Sequence, residues 1–438
     1  MKRRTLLHAT AGGLLAAPAF VHRANAQSQF DWKQYKGEKL EVALTLGPRA
    51  TVLMQHQKEF EELTGIRVGA EAIPEQQNRQ KIAIEFASGR TSFDVFTLSL
   101  HVQKRMMARA GWLEDLRPWL NDPARTPAEY DWSDMGKGGV DYVTTANGRI
   151  EGLPLNLDYW MLYWNKELFQ QKGLAYPKSI DELVSHARTL TDPSKGIYGF
   201  VGRGLKNANI PVWTSWLLGQ GKETVENGVL QTDTREAVWA GEIYKTLMKD
   251  TAPPGSVGFN WNESQTTFSQ GRAAMWLDGI GFSLPLVDPT KSRVVGKVGF
   301  GVTPPGPKAR HSALFGDSVA IPASGRKKGP AYLYAMWATS KPMALRMLTA
   351  GAGTPARISA YQNPAAMRDS KFGQEWFDCV VESVKIARPG LPEIIPVTEF
   401  RDTFGVALTN TIGGADVAAE LRKATEAFKP VLDKSEQS

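Results

Sequence analysis

Hydrophobic and polar positions follow two alternating periods over the first third of the chain. Leu40, Val42, Leu44 and Leu46 recur at every second position, the period of a half-buried strand, and Gly47-Pro48 ends the run. From Thr51 to Leu63 the spacing changes to that of a helix, with Gly65 placed to close it as a C-cap. Ile66 to Ala72 reads as a second strand. Gln76 to Ser88 reads as a second helix, with Ile82, Ala83 and Phe86 toward one face and Gly89 closing it, and Asp94 to Leu98 as a short buried strand. The order β-α-β-α-β predicts a parallel sheet with helices on both faces. Ligands of such sheets sit beyond the carboxyl ends of the strands, which places the loops Gly47-Pro48-Arg49 and Ser99-Leu100-His101 near a site.

Later segments obey the same rules. Ser179-Ile180-Asp181-Glu182 has the form of a capping box, and Ile180, Leu183, Val184, Ala187 and Leu190 follow at helical spacing until Thr191-Asp192-Pro193. Pro330 opens a helix that runs through Trp337, and Pro342 opens the next. Asp416 to Leu432 forms an amphipathic tail helix.

The start of the chain has a different composition. Lys2, Arg3 and Arg4 precede a mildly apolar, Ala-rich stretch from Thr5 to about Val21, broken by Gly12, Gly13 and Pro18. Ala24-Asn25-Ala26 supplies an A-x-A cleavage pattern, so residues 1–26 read as a signal peptide and the mature chain starts near Gln27. The Arg3-Arg4 pair, the weak apolar stretch and Arg23 favour the twin-arginine route. No later apolar run reaches the roughly 18 residues of a membrane span. No cysteine follows the cut, so a lipid anchor is not expected, and the product should be soluble in the periplasm.

Without Lys2, Arg3, Arg4 and Arg23 the net charge falls from +7 to about +3. That is not the excess of a nucleic-acid-binding chain, and Gly325-Arg326-Lys327-Lys328-Gly329, the one short basic run, reads as a solvated turn. The remaining chain of about 412 residues exceeds what one core supports, so two domains are expected. No repeat and no low-complexity linker divides it, which implies short crossings between the domains.

Few residues offer catalytic chemistry. Cys379 is the single cysteine and lies in an apolar context, so it reads as a buried structural thiol. His56, His101, His186 and His311 show no metal-ligand spacing, and no metal or other cofactor is expected. Arg3-Arg4 therefore reads as export of a chain already folded. Gly221-Lys222 lacks the rest of a phosphate loop, Gly202-Arg203-Gly204 does not complete G-x-G-x-x-G, and Pro285 breaks the nucleophile-elbow pattern after Gly281-Phe282-Ser283. The two acids of a glycosidase need no motif, and nothing in the sequence points to such a pair. Tryptophan, in contrast, is abundant, with 13 residues. Trp213 and Trp216, Trp261 beside Asn260, and Trp276 beside Asp278 combine ring faces with hydrogen-bonding groups. An indole covers the C–H face of a sugar or polyol, while carboxylate, amide and guanidinium groups meet its hydroxyls.

At these segments the chain resembles the family 1 extracellular solute-binding proteins of ATP-binding-cassette importers, the group that includes maltose-binding protein. The likeness spans nearly the whole mature chain. Phe60 to Val68 resembles the family's first helix-to-strand passage, and Gly89 to Val95 its loop before an Asp-Val strand. Gly152-Leu153-Pro154 followed by Tyr163-Trp164-Asn165-Lys166-Glu167-Leu168-Phe169 resembles the first crossing, with Trp164 in the usual Tyr place. The most specific segment is Phe268 to Gly279 (FSQGRAAMWLDG), and Gly316 to Ile321 and Gly353 to Arg357 match later crossings. Pro253-Pro254-Gly255 with Gly258 to Glu263, and Asp288-Pro289 with Lys297 to Phe300, resemble the mannitol/sorbitol binders of the group.

The resemblance implies a type II periplasmic-binding-protein fold of the α/β class. Two α/β lobes enclose a ligand cleft and are joined by two or three hinge crossings. One lobe would hold residues 31–152 and 312–354, the other 155–305 and 358–438. It also implies hinge closure on a small ligand and docking of the closed form on the membrane permease, as a monomer without nucleic acid. Positions matching the family's cleft loops are Arg49, Ser99, His101, Asn156, Asp158, Tyr159, Trp213, Trp216, Asn260, Trp261, Trp276, Asp278, Asp317 and Arg357. In this assignment Trp261 and Trp276 stack on the ligand, Asp158, Asp278 and Asp317 accept its hydroxyl protons, and Arg49 and Arg357 donate. A sugar or sugar alcohol is the first reading of the ligand. A charged solute (organic acid, sulfonate or polyamine) is a second, served by Arg49, Arg357 and His101, and a secreted hydrolase is a third.

Overall fold

The computed structural model describes residues 30–145 and 147–437, and the expected signal segment lies outside them. The first third contains β1 (Lys39–Thr45), α1 (Pro48–Thr64), β2 (Arg67–Ile73), α2 (Glu75–Ala87), β3 (Val95–Ser99) and α3 (Leu100–Arg109). The middle contains β4 (Leu153–Asn165), α4 (Ile180–Leu190), α5 (Ile210–Leu218), α6 (Trp261–Ser269), β5 (Met275–Gly279), β6 (Val298–Val302) and β7 (Ser312–Ala320). The last part contains α7 (Lys328–Ala338), α8 (Lys341–Thr349), α9 (Gln374–Lys385), β8 (Ala387–Pro389), α10 (Val397–Ile412) and α11 (Val417–Gln437). No helix among the described residues is long and apolar enough to cross a membrane.

The predicted elements form within a few residues of their expected ends, and the departures have local causes. α1 starts at Pro48 rather than Thr51, because the fixed φ of proline suits the first helical turn. Gly65 closes α1 in the left-handed region at φ 72°, its N–H reaching Glu61 O at 2.8 Å. Ser179 Oγ accepts the Glu182 N–H at 3.1 Å, but the Glu182 carboxylate turns to the Lys178 N–H at 2.6 Å, so half of the expected box forms. The tail helix continues past Leu432 and carries Pro430 inside it.

The eight strands run in the order β2-β1-β3-β7-β4-β5, with β8 on β7 and β6 on β4. β1 pairs in parallel with β2 and β3, as the β-α-β-α-β reading requires. The sheet then becomes mixed, because β7 runs antiparallel to both β3 and β4, and β5 and β6 run antiparallel to β4.

β4 organises the molecule. Its 13 residues are nearly all buried, as expected of a strand covered on both faces. Leu153 to Tyr159 pair with β7, and from Trp160 onward the strand pairs with β5. The core divides at the same point. Leu153, Leu155, Leu157 and Tyr159 pack with β1, β3 and α7. Trp160 and Leu162 pack with Trp213, Trp216, Phe400 and Phe404. Met161 and Tyr163, on the opposite face, pack with Phe268, Trp276 and Trp376. Ala344 and Leu348 of α8 join this last cluster.

Candidate functional site

A cavity lies where the carboxyl ends of the first three strands face the middle of β4. The space it encloses is about 60 Å³, and about 660 Å³ when the open solvent at its mouth is counted. β1 and the first turn of α1 contribute Thr45 and Arg49, the end of β2 leads to Glu75, and the β3–α3 junction brings Ser99 and His101. Asp158 and Trp160 come from β4, Phe315 and Asp317 from β7, Trp261 from α6 and Arg401 from α10.

Charge inside the cavity is tightly matched. Arg49 Nη1 lies 3.3 Å from Asp158 Oδ2, and Nη2 lies 2.8 Å from Asp317 Oδ2. The other Asp158 oxygen accepts the Gly281 N–H at 3.1 Å. Burial raises the pKa of both aspartates, and Arg49 opposes that rise. Burial also works against the charge of Arg49, but Asp317 and Asp158 outweigh it and raise its pKa. Arg203 grips the fully buried Asp278 with two bonds, Nε to Oδ2 at 2.9 Å and Nη2 to Oδ1 at 2.5 Å. Its guanidinium also lies over the rings of Trp160 at 5.2 Å and Phe282 at 5.7 Å, which fixes its orientation. Gly279, at the end of β5, approaches Asp158 so closely that a Cβ there would stand 2.7 Å from the carboxylate.

The apolar wall is aromatic. Trp261 stacks on Phe282 with centroids 4.7 Å apart and planes at 12°, and Trp160 meets Phe315 at 5.3 Å. His101 stands edge-on to Phe315, with Nδ1 3.2 Å from Gly316 O. Burial, with Arg79 and Arg401 nearby, pushes the His101 pKa down to about 3, so the imidazole is neutral from pH 5 to 8. It therefore supplies no positive charge for an anionic ligand.

Of the residues the sequence reading assigned to the cleft, Arg49, Ser99, His101, Asp158, Trp261 and Asp317 line this cavity. The others lie elsewhere. Trp213 and Trp216 are fully buried on α5, where Trp213 stacks on Phe404 and donates its indole N–H to Ala237 O at 3.1 Å. Trp276 is also fully buried, stacked on Tyr163 at 4.6 Å. Apolar packing claims these three indoles: α5 reaches the cavity only through Pro211 at its start, and Trp213, Trp216 and Trp276 are fully buried away from it. Asp278 serves as the buried anchor of Arg203. Arg357 is a structural clasp: it donates to Thr339 O at 2.6 Å and Asp131 O at 3.0 Å, pairs with Asp134 at 3.2 Å, and covers the Tyr130 ring. Asn156 is buried against Gly353, Tyr159 packs in the first core cluster, and the Asn260 N–H bonds Glu263 at 2.9 Å to start α6.

Sequence reasoning missed Glu75, Trp160, Arg203, Phe282, Phe315 and Arg401. Glu75 had a usable signal, since it follows the carboxyl end of β2. Arg203 stands in a Gly-Arg-Gly loop that completes no G-x-G-x-x-G pattern and so carries no sequence signal of its own. Arg401, in the middle of a long helix, had none.

An α/β fold with a polar, aromatic-walled cavity at the strand ends, straddled by one long shared strand, is the architecture of a solute receptor. The chain belongs to the bacterial extracellular solute-binding protein family, whose profile matches residues 47–344. It is 28% identical over 423 residues to the erythritol/L-threitol-binding protein of Mycolicibacterium smegmatis, a match covering 90% of this chain and 86% of that protein. It is 29% identical over 394 residues to a probable amino-acid ABC transporter periplasmic-binding protein of Sinorhizobium fredii, covering 84% of each. Among solved structures, a solute-binding protein of Agrobacterium radiobacter K84 in complex with ribitol superposes with a TM-score of 0.83 at 28% identity, covering 90% of this chain and 99% of that one.

Proposed function

We propose that this protein captures a sugar alcohol or small sugar outside the cytoplasm and delivers it to the membrane permease of an ATP-binding-cassette importer, acting as a monomer. The observation that carries the reading is the cavity itself. Paired guanidinium and carboxylate groups supply donors and acceptors at fixed positions, and the Trp261–Phe282 stack offers a flat face to C–H groups. The ribitol-bound neighbour and the erythritol-binding relative support the same ligand class. The expected signal peptide supports the location. We assign the halves flanking the Tyr159–Trp160 step of β4 to the two lobes, with hinge closure burying the ligand between them.

A thermal-shift screen over alditols, sugars, organic acids, amino acids and polyamines tests the ligand class. A ligand at 100 times its Kd should stabilise the fold by about 2.7 kcal/mol. A shift confined to amino acids, acids or polyamines would overturn the reading. Recovery of a cleaved compound would replace it with an enzyme.

Trp261→Ala provides a narrower test. The ring is only partly buried, so the fold should survive, while alditol affinity falls by about tenfold or more through loss of a stacking face of about 0.5–1.5 kcal/mol plus its buried area. Unchanged affinity by titration calorimetry would remove Trp261 from the site.

A further inference from the structure

We propose that Glu75 is a built-in counter-ion that closes the Arg401 end of the cavity to carboxylates, so that the site selects an uncharged polyol over the corresponding polyhydroxy acid. The inference rests on the polyol reading above and adds the residue that sets its charge selectivity.

The other two cavity arginines, Arg49 and Arg203, are already matched by three aspartates. What remains is Arg401, which lines the cavity together with Glu75, and Arg79, which pairs with Glu75 and is not part of the lining. Glu75 Oε1 lies 2.7 Å from Arg79 Nη2. Neither terminal nitrogen of Arg79 makes a hydrogen bond among the described residues, so this ion contact is its anchor. Arg401 is 3% exposed, and its one hydrogen bond among the described residues runs from Nε to Asn207 O at 3.0 Å. Its terminal amino groups are left to the cavity it lines. Burial works against ionising Glu75, yet Arg79, Arg203 and Arg401 together hold its pKa well below the usual carboxylate range.

A buried guanidinium on the cavity wall, Arg401, would recruit an anion from the ligand, because a guanidinium binds a carboxylate through two parallel bonds. Glu75 already occupies that electrostatic role. A ligand carboxylate arriving there meets a like charge in a poorly solvated space. A hydroxyl does not, since it accepts from Arg401 and donates to Glu75 at once. His101 is neutral and does not alter the balance.

Titration calorimetry with matched pairs tests this: ribitol against D-ribonate, erythritol against D-erythronate, and D-mannitol against D-mannonate. The parent protein should bind the alditol of at least one pair about 100-fold or more tightly than its acid, the cost of one close like-charge contact. E75Q should raise the absolute affinity for the acid by about tenfold or more, and adding R401Q to E75Q should cancel that gain. E75A removes the same charge and covers the case in which E75Q does not fold: it too should raise the affinity for the acid, and an unchanged ratio in it overturns the proposal equally. Equal binding of both members of a pair by the parent, or an E75Q that folds and leaves the ratio unchanged, overturns the proposal. If no alditol or acid binds the parent at all, the polyol reading fails and this inference falls with it.

Discussion

Arg49→Ala should abolish ligand binding and destabilise the protein at neutral pH by about 3–5 kcal/mol, the usual cost of removing one partner from a buried ion pair. Arg49 reaches from the first turn of α1 to both β4 and β7, touching Asp158 at 3.3 Å and Asp317 at 2.8 Å. The variant leaves two buried carboxylates without the guanidinium that pairs with both. Both already have raised pKa values from burial, with Arg49 holding them down, so its loss raises them further. A carboxyl whose pKa is raised on folding favours the folded state where it is protonated, and that contribution is lost as pH rises through the folded value. The variant should therefore be least stable relative to the parent near pH 7 and recover as pH falls toward 4. Denaturant melts of parent and variant across that range check the sign. A difference that grows on acidification would contradict the assigned charge states.

Trp276→Ala should damage the fold before it damages recognition. The indole is fully buried and stacks on Tyr163 at 4.6 Å with planes at 20°. Phe282, which lines the cavity, has its ring centroid 6.4 Å from that of Trp276 and stacks on Trp261 in turn. Trp276 thus backs an aromatic cluster whose outer members, Phe282 and Trp261, line the cavity. Removing a buried indole costs about 3–5 kcal/mol through lost contacts and the cavity left behind. The expected result is a clear drop in melting temperature, with a smaller loss of affinity in the molecules that remain folded, caused by a less firmly seated Phe282. A variant with parental stability and no binding would instead put Trp276 in contact with the ligand, as the sequence had suggested.

The contrast between Trp276 and Trp261 shows where reading the sequence stopped working. Both sit within two residues of an amide or carboxylate, and both had equal claims to the cleft, although Trp276 lies in the apolar run Ala273 to Leu277. Local context cannot distinguish them, because a strand side chain points to one face or the other according to register. β5 pairs with β4 so that Trp276 stands opposite Tyr163 in the interior. Arg357 and Asp278 failed for a related reason. A charged residue in a promising loop is free for a ligand only if no nearer partner takes it, and Asp134 and Arg203 do.

The sequence by itself determined the period of each element, the caps Gly65 and Ser179, the parallel β-α-β-α-β start and the family resemblance, all of which depend on neighbours a few residues apart. It also placed Arg49, Ser99 and His101 at a site, because the strand-end rule links chain order to position. Only the tertiary structure decided the rest. Arg49 and Asp158 are 109 positions apart, and Arg105 of α3 reaches the Glu436 carboxylate of α11 across 331. Glu75 and Arg401, which line one cavity, come from a helix near the start of the chain and one near its end. Coulombic partners and core packing act through space, and no spacing along the chain carries that information.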